Sequence, residues 1–504
     1  MRFAPNERTL ASRPSLPVSA HLIRIGATCS VLAVLAACVA SPAPRSRQDE
    51  QARAQEQAKF IEFTLGLERD PRIAGYVEEV GQRLAAHAMR KDVDYEFYIV
   101  DMASANAFSL PDGHVYISRG LLALINSEEE LAGVLGHEMG HVEAHHPVMR
   151  RPTEAASAVQ SAGSVAGIAA SLLAKAAGAG SDERDVTARR ALLAPYSREQ
   201  EREADRLGQD LAARAGWDPR GLSILLGTLD REERQMGPLA WSDQFLATHP
   251  SMPERVAATA AYAAQIAWTP SEPIAKDRSD LLARFDGLIV GDDPAKGTLV
   301  GNVFMQPSLG LRIALPPGWE AGYGMGFAGA YSPDRQSVLI LRPAAAAKDP
   351  LVVAREQERR AGVALLYNAR SEQINGLAAV REELPVNGKH GTYWLTLNWV
   401  AVGNLTWSIE GAAPVATAER DARIINGSID TIAPISDADR ARIDITRLRT
   451  TRANDGEMLG SLRRRSGSTW NADQIAIANG LARDGVLTAG QLIKVPVREV
   501  FSTP

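Results

Sequence analysis

The chain has 504 residues, with 55 Lys and Arg against 60 Asp and Glu and a net charge of −5. At 45% hydrophobic and 23% charged residues it has the composition of a globular protein, which excludes a disordered or collagen-like chain, and its length points to roughly three domains. The mildly acidic balance and 6% aromatic content leave no nucleic acid as default partner, and two cysteines exclude a disulfide-stapled scaffold.

In chain order, Arg2, Arg8, Arg13 and Arg24 precede an apolar run, Ile25 to Ala37, that is short for a transmembrane span. The run ends Leu35-Ala36-Ala37-Cys38, which resembles a bacterial lipobox. That resemblance makes residues 1–38 a lipoprotein signal peptide and Cys38 the acylated first residue of the mature chain, with the membrane as a partner through a lipid anchor. The other readings are a plain signal peptide or an N-terminal anchor. Val39 after Cys38, with no Asp there, favours the outer membrane. Residues 39–57 read as a polar linker.

From Phe60 to Ala88, apolar positions recur at helical spacing (Ile61, Leu65, Leu67, then Ile73, Val77, Val80, Leu84) and predict two amphipathic helices. Asp94 to Val100 and Val115 to Ser118 read as strands, the second after the turn Pro111-Asp112-Gly113. Ser127 to Glu130 reads as a capping box opening a helix that runs to about His146 and stops near Pro147. Residues 155–180 are nearly all Ala, Gly, Ser and small aliphatics, either a membrane-active hairpin or a packed helical flap. Charged residues from Ser197 to Ala213 predict a further helix, and 221–232 and 253–267 two more. After about Pro273 the texture switches to short β-like runs (311–315, 337–341, 393–402, 405–409) with helices near 350–362 and 416–430. This is a separate α+β domain, about 298–437, in which Trp319, Trp394, Trp399 and Trp407 are expected in the core. A last small module follows at 446–498.

The chemistry lies in a few short segments. His137-Glu138-Met139-Gly140-His141 places two imidazoles at i and i+4 of a helix, about 6 Å apart along its axis, so both can reach one metal ion. Glu138 beside them can take a proton from a metal-activated water. Gly133, Gly136 and Gly140 each lower helix propensity by ~0.8–1 kcal/mol, so a close neighbour along that helix is the expected compensation. A catalytic site needs a third ligand. The metzincin spacing is absent, since Ala144 and Pro147 stand at its Gly and His positions, and His145 and His146 read as polar helix-end residues. Glu201 and Asp205, i and i+4 on the charged helix with small Ala204 between them, are better placed: Glu201 can bind the metal while Asp205 accepts from a ligand histidine.

His-Glu-x-x-His followed about sixty residues on by Glu201-Arg202-Glu203-Ala204-Asp205 resembles the M48 zinc metallopeptidases, a gluzincin group. Asn106 to Ile117, Arg119-Gly120-Leu121-Leu122, and Thr248-His249-Pro250 with Arg255 match the family's other blocks in order, over about residues 55–270; Asp112 departs from a common Gly. The resemblance implies one Zn2+ per chain held by His137, His141 and Glu201, and Glu138 as general base in an endopeptidase reaction. His249 and Arg255 are candidates for stabilising the oxyanion; His249 could instead fill the open metal position and keep the enzyme latent. The 109–118 strand is expected to pair with an extended substrate. Gly456-Glu457-Met458-Leu459, Asn479-Gly480-Leu481 and Gly490 to Pro496 resemble a degenerate LysM module, implying either peptidoglycan binding or a LysM-like fold without it.

The expected fold class is therefore multidomain α+β: a mainly helical zincin domain with a small sheet (58–272), an α+β domain of unknown role, and a small βααβ module. The implied function is lipid-anchored proteolysis of misfolded or unassembled proteins on the periplasmic side of the bacterial envelope. The alternatives are a chaperone-like or peptidoglycan-tethered scaffold with little proteolysis and, more remotely, a peptidoglycan hydrolase.

Overall fold

Asp70 starts the first helix, α1 (Pro71–Ala85), by accepting from the Arg72 amide, with Pro71 at the position where a missing N–H costs nothing. Ile73, Tyr76, Val77, Val80 and Leu84 then recur along its buried face. The structure, a computed structural model, describes residues 55–146, 196–236 and 252–502 apart from 60, 63–64, 325–326, 347–348, 362–365 and 389–390, and with them Phe245 and His249. The expected signal peptide with Cys38, nearly all of the expected 39–57 linker and the 155–180 segment lie outside the described residues.

Strands β1 (Glu96–Val100), β2 (Ala107–Ser109) and β3 (His114–Ser118) form a sheet in the order β1-β3-β2, with β1 parallel and β2 antiparallel to β3. β3 is paired on both sides, so the expectation that the 109–118 strand pairs with an extended substrate is corrected: among the described residues it is β2 that has no strand on its outer edge. At the turn between them, Asp112 takes its place by pairing with His114 at 2.9 Å.

A short helix, α2 (Arg119–Leu124), leads into α3 (Glu128–Glu143), which is buried at every residue except Glu129 and Glu143. Ser127 accepts from the Glu130 amide at 3.2 Å, but the Glu130 carboxylate returns to the Asn126 amide at 2.9 Å. The expected capping box thus closes one residue early. Buried Glu128 fixes the start of α3, accepting from Tyr76 Oη, Trp217 Nε1 and the amides of Ile274 and Ala275 at 2.6–3.0 Å.

Helices α4 (Arg198–Arg214) and α5 (Arg220–Met236) pack along α3, and α6 (Met252–Ala263) along α4 and α5. The glycines of α3 are what permit this. A Cβ on Gly133 would lie 2.6 Å from the Leu222 amide, on Gly136 2.9 Å from the Gly208 carbonyl, and on Gly140 2.7 Å from the Ala204 carbonyl. Those atoms are backbone, so a methyl group can only push a helix away. Gly140→Ala is therefore expected to lower stability by ~1–3 kcal/mol despite the ~0.8–1 kcal/mol that alanine contributes to helix propensity. Thermal melting of the variant checks the sign.

After α7 (Arg278–Phe285), residues 298–434 carry two sheets. One is four-stranded, β14-β6-β5-β4 (β4 Thr298–Val300, β5 Val303–Gln306, β6 Leu311–Ala314, β14 Ala433–Pro434). The other is seven-stranded and antiparallel, in the order β10 (Arg370–Ile374), β11 (Leu377–Gly388), β12 (Gly391–Val402), β13 (Leu405–Pro414), β9 (Val338–Ala345), β8 (Phe327–Tyr331), β7 (Glu320–Gly324). In it Trp399 and Val400, consecutive on one strand, point to opposite faces, the first packing with Val353 and Ala354 and the second with Trp407, Ile425 and Ile429. Helices α8 (Pro350–Ala361) and α9 (Ala418–Ile429) thereby cover the two faces. Trp399 and Trp407 are core residues, while Trp319 and Trp394 are half-buried.

The last unit runs β15 (Asp444–Arg452), α10 (Leu459–Ser466), α11 (Ala472–Ala478), β16 (Leu492–Val500), its two strands antiparallel. Fully buried Lys494 of β16 donates to the carbonyls of Ala123 and Ile125 at 2.8 and 2.6 Å, fastening this unit to the turn just before α3. The chain is thus a mixed α and β protein with helices and several sheets. Among the described residues no helix is long and apolar enough to cross a membrane.

Candidate metal centre

Helical spacing brings the two imidazoles of α3 together: Nε2 of His137 and Nε2 of His141 are 3.1 Å apart, with the rings nearly perpendicular. The close approach of α4 at Gly140 and Ala204 delivers the carboxylate. Glu201 places one oxygen 3.7 Å from His137 Nε2 and the other 3.6 Å from His141 Nε2. His249 enters the same space, its Nδ1 3.3 Å from His137 Nε2 and 2.9 Å from Glu201. One donor atom from each of His137, His141, Glu201 and His249 lies within 4.8 Å of the others, and all four residues are fully buried. Nitrogen and carboxylate donors gathered this tightly away from water are the set that zinc prefers. Two buried atoms, Glu138 Oε1 and His249 Nε2, lack a hydrogen-bond partner among the described residues and face each other at 3.5 Å. The residues present fit a metal ion.

Behind the donors stands a layer of buried charge. Asp205 sits one helical turn after Glu201, its Oδ1 3.0 Å from His137 Nδ1. Arg255 of α6 grips Asp205 through Nε at 2.9 Å and a terminal nitrogen at 2.6 Å, and reaches Glu201 at 2.7 Å. Burial opposes the charge on Asp205, but Arg255 outweighs it and holds the carboxyl well below the usual carboxylate range. Glu201 is lowered in the same way, against its burial, by His249 and Arg255. Glu138 makes no such ion pair with Arg255 among the described residues: burial outweighs the pull of His137 and, with the charge of Glu201, pushes its carboxyl up to about 7.

Every residue singled out on α3, α4 and α6 therefore falls in one cluster, together with His249; Cys38 lies outside the described residues. Four neighbours carried no recognisable signal. Ser109, at the end of β2, donates to the Glu138 carbonyl at 2.9 Å and lies 3.2 Å from its carboxylate. Tyr196, just before the Ser197 cap of α4, stacks on His141 at 3.6 Å between ring centres, and Phe245 stacks on His249 at 4.1 Å. The fourth is a correction. His145 is an exposed helix-end residue as expected, but His146 is only 7% exposed and lies against His141. The sequence reading ran the helix to about His146 and made this a polar helix-end residue, whereas α3 ends at Glu143 and the turn after it folds His146 back.

Comparison with known proteins gives the same region. Residues 71–263 match Peptidase family M48. The chain is 30% identical over 206 residues to the mitochondrial metalloendopeptidase OMA1 of Schizosaccharomyces pombe, covering 41% of this chain and 56% of that one. It is 27% identical over 193 residues to the beta-barrel assembly-enhancing protease of Escherichia coli K12, covering 38% and 39%. With metalloprotease YcaL of the same organism it shares 31% over 159 residues, covering 30% and 59%. The chain thus spans between 39% and 59% of the length of these relatives.

Proposed function

Residues 71–263 are a domain of peptidase family M48, and from that premise we propose that the chain is a zinc-dependent endopeptidase of the bacterial cell envelope, lipid-anchored through Cys38 and acting on misfolded or unassembled proteins. The observation that carries the reading is the buried carboxylate of Glu138 beside a tight set of nitrogen and oxygen donors. His137, His141 and Glu201 hold the metal. When bound, zinc supplies Lewis acidity, making a water acidic near neutral pH and drawing electron density from the scissile carbonyl.

The remaining work falls to the chain's own groups. Glu138 takes the proton from the attacking water and returns it to the leaving nitrogen. Ser109 steadies Glu138, donating to its backbone carbonyl from beside its carboxylate. Asp205 fixes His137 in the tautomer that presents Nε2. Arg255 is fully engaged by Asp205 and Glu201, so it orients the ligands rather than meeting the oxyanion. The open edge of β2 pairs with an extended stretch of substrate, which favours unfolded chains over a fixed sequence. The similarity to a bacterial beta-barrel assembly-enhancing protease supports the location, and the LysM resemblance of residues 446–498 supports docking on peptidoglycan. Zinc analysis of the purified protein and digestion of an unfolded protein substrate test the reading; a metal-free, inactive protein defeats it.

One observation favours a latent form of the same enzyme. His249 lies among the donors, its Nδ1 3.3 Å from His137 Nε2, and as a fourth ligand it would take the position that a substrate and water need. His249→Ala is expected to raise turnover of an unfolded substrate several-fold with zinc still at one per chain. A fall in turnover instead assigns His249 to the oxyanion.

A further inference from the structure

We propose that His146 is a positioning residue for the metal centre: its Nδ1 accepts a hydrogen bond from His141 Nδ1–H, and Glu203 holds His146 in the tautomer that allows this. The inference rests on the zinc-site reading above and adds the element that orients its second histidine.

The geometry starts at the end of α3. The Ala144 amide donates to Gly140 O at 3.0 Å, the His145 amide to Val142 O at 3.1 Å, and the His146 amide returns to His141 O at 2.9 Å. His145 takes the left-handed conformation this turn demands, with φ 54°. A non-glycine residue is strained there, and Arg90 braces the turn by donating to Val142 O at 3.1 Å. The consequence is that the fifth residue after His141 folds back against it. The two Nδ1 atoms are 3.0 Å apart, and His146 Nε2 is 3.1 Å from a carboxylate oxygen of Glu203 on α4.

Proton accounting leaves one arrangement. His141 turns Nε2 toward His137 and Glu201, so that nitrogen carries the lone pair for the metal and Nδ1 carries the proton. Between two Nδ1 atoms at hydrogen-bond distance one must be the acceptor, and it is that of His146. The proton of His146 is then on Nε2, where the Glu203 carboxylate receives it. Tyr196, stacked on His141, closes the other side of the ring. The two ligand histidines are thus oriented differently. His137 is backed by a buried carboxylate held charged by Arg255, His141 by a neutral imidazole whose own carboxylate partner is 60% exposed.

The test is zinc affinity of the purified full-length protein by competition with a chromogenic chelator, with the visible spectrum of the Co2+-substituted protein as a second readout. His146→Phe keeps a ring in the turn but removes the acceptor, and is expected to weaken zinc binding roughly ten- to a hundredfold and to shift the Co2+ bands. His146→Gln restores an acceptor and is expected to stay within about threefold of wild type. Wild-type affinity and an unshifted spectrum in His146→Phe overturn the proposal. Should that variant not fold, 15N-histidine NMR of the wild-type protein decides, because His146 must show an unprotonated Nδ1; a protonated Nδ1 overturns it. Failure of the wild type to take up stoichiometric zinc instead sinks the zinc-site reading on which the proposal stands.

Discussion

Glu138→Gln is expected to lower turnover of an unfolded protein substrate by roughly 10²–10⁴-fold while zinc content and melting temperature stay at wild-type values. The substitution removes the base without disturbing the packing. Glu138 makes no ion pair with Arg255 among the described residues, where Arg255 is held by Asp205 and Glu201, and its Oε1 has no hydrogen bond there, only His249 Nε2 at 3.5 Å. An amide of the same shape can still lie beside Ser109. The same carboxyl sets a pH dependence. Burial, with the charge of Glu201 nearby, brings it up to about 7 in the metal-free protein, and a neighbouring dication pulls it down from there by favouring the charged form. Because the ionised form is the base, kcat/KM should fall as pH drops through this pKa. The residual activity of Glu138→Gln should show no such limb. Equal turnover by wild type and variant would remove Glu138 from the reaction and with it the peptidase reading.

How much of this centre was legible depended on whether the signal was local. His137, Glu138 and His141 could be read because helical periodicity alone fixes where i and i+4 point. Glu201 and Asp205 became readable because Ala204 and the glycines of α3 mark a contact with little room between helices, and the structure puts backbone atoms there. The free edge at β2 could not be read, since strand order is decided by pairing between distant segments. His146 was hidden for a different reason. A histidine after a helix is usually solvated, and only the left-handed residue at 145 turns it inward. Arg255 could be placed in the site but not given its role, because nothing in the sequence says which carboxylates it meets.

Asp205→Ala should have the largest effect on stability. Arg255 is fully buried, and burial works against its charge; Asp205 is the principal group that compensates. Removing that carboxylate leaves a guanidinium facing Glu201 alone and His137 Nδ1 without its acceptor. Breaking a buried pair from one side typically costs about 3–5 kcal/mol, which for a unit of this size lowers melting by roughly 6–20 °C. Differential scanning calorimetry of the EDTA-treated protein isolates this from any contribution of bound metal. The sign with pH follows from the depressed carboxyl. A group lowered from its ordinary 3.8 stabilises the fold fully above that value and loses the effect as pH falls through the folded pKa. The difference between wild type and Asp205→Ala should therefore be constant from neutral pH down to about 5 and shrink below 4. Pairing it with Arg255→Leu separates charge from function. Removing both partners should recover part of the stability, because no lone cation stays buried, yet Glu201 then loses its own partner and the recovery is incomplete. Zinc affinity should not recover at all, since His137 still lacks the group that orients it. A double variant that binds zinc as wild type does would show that the Asp205–Arg255 pair serves the fold and not the metal.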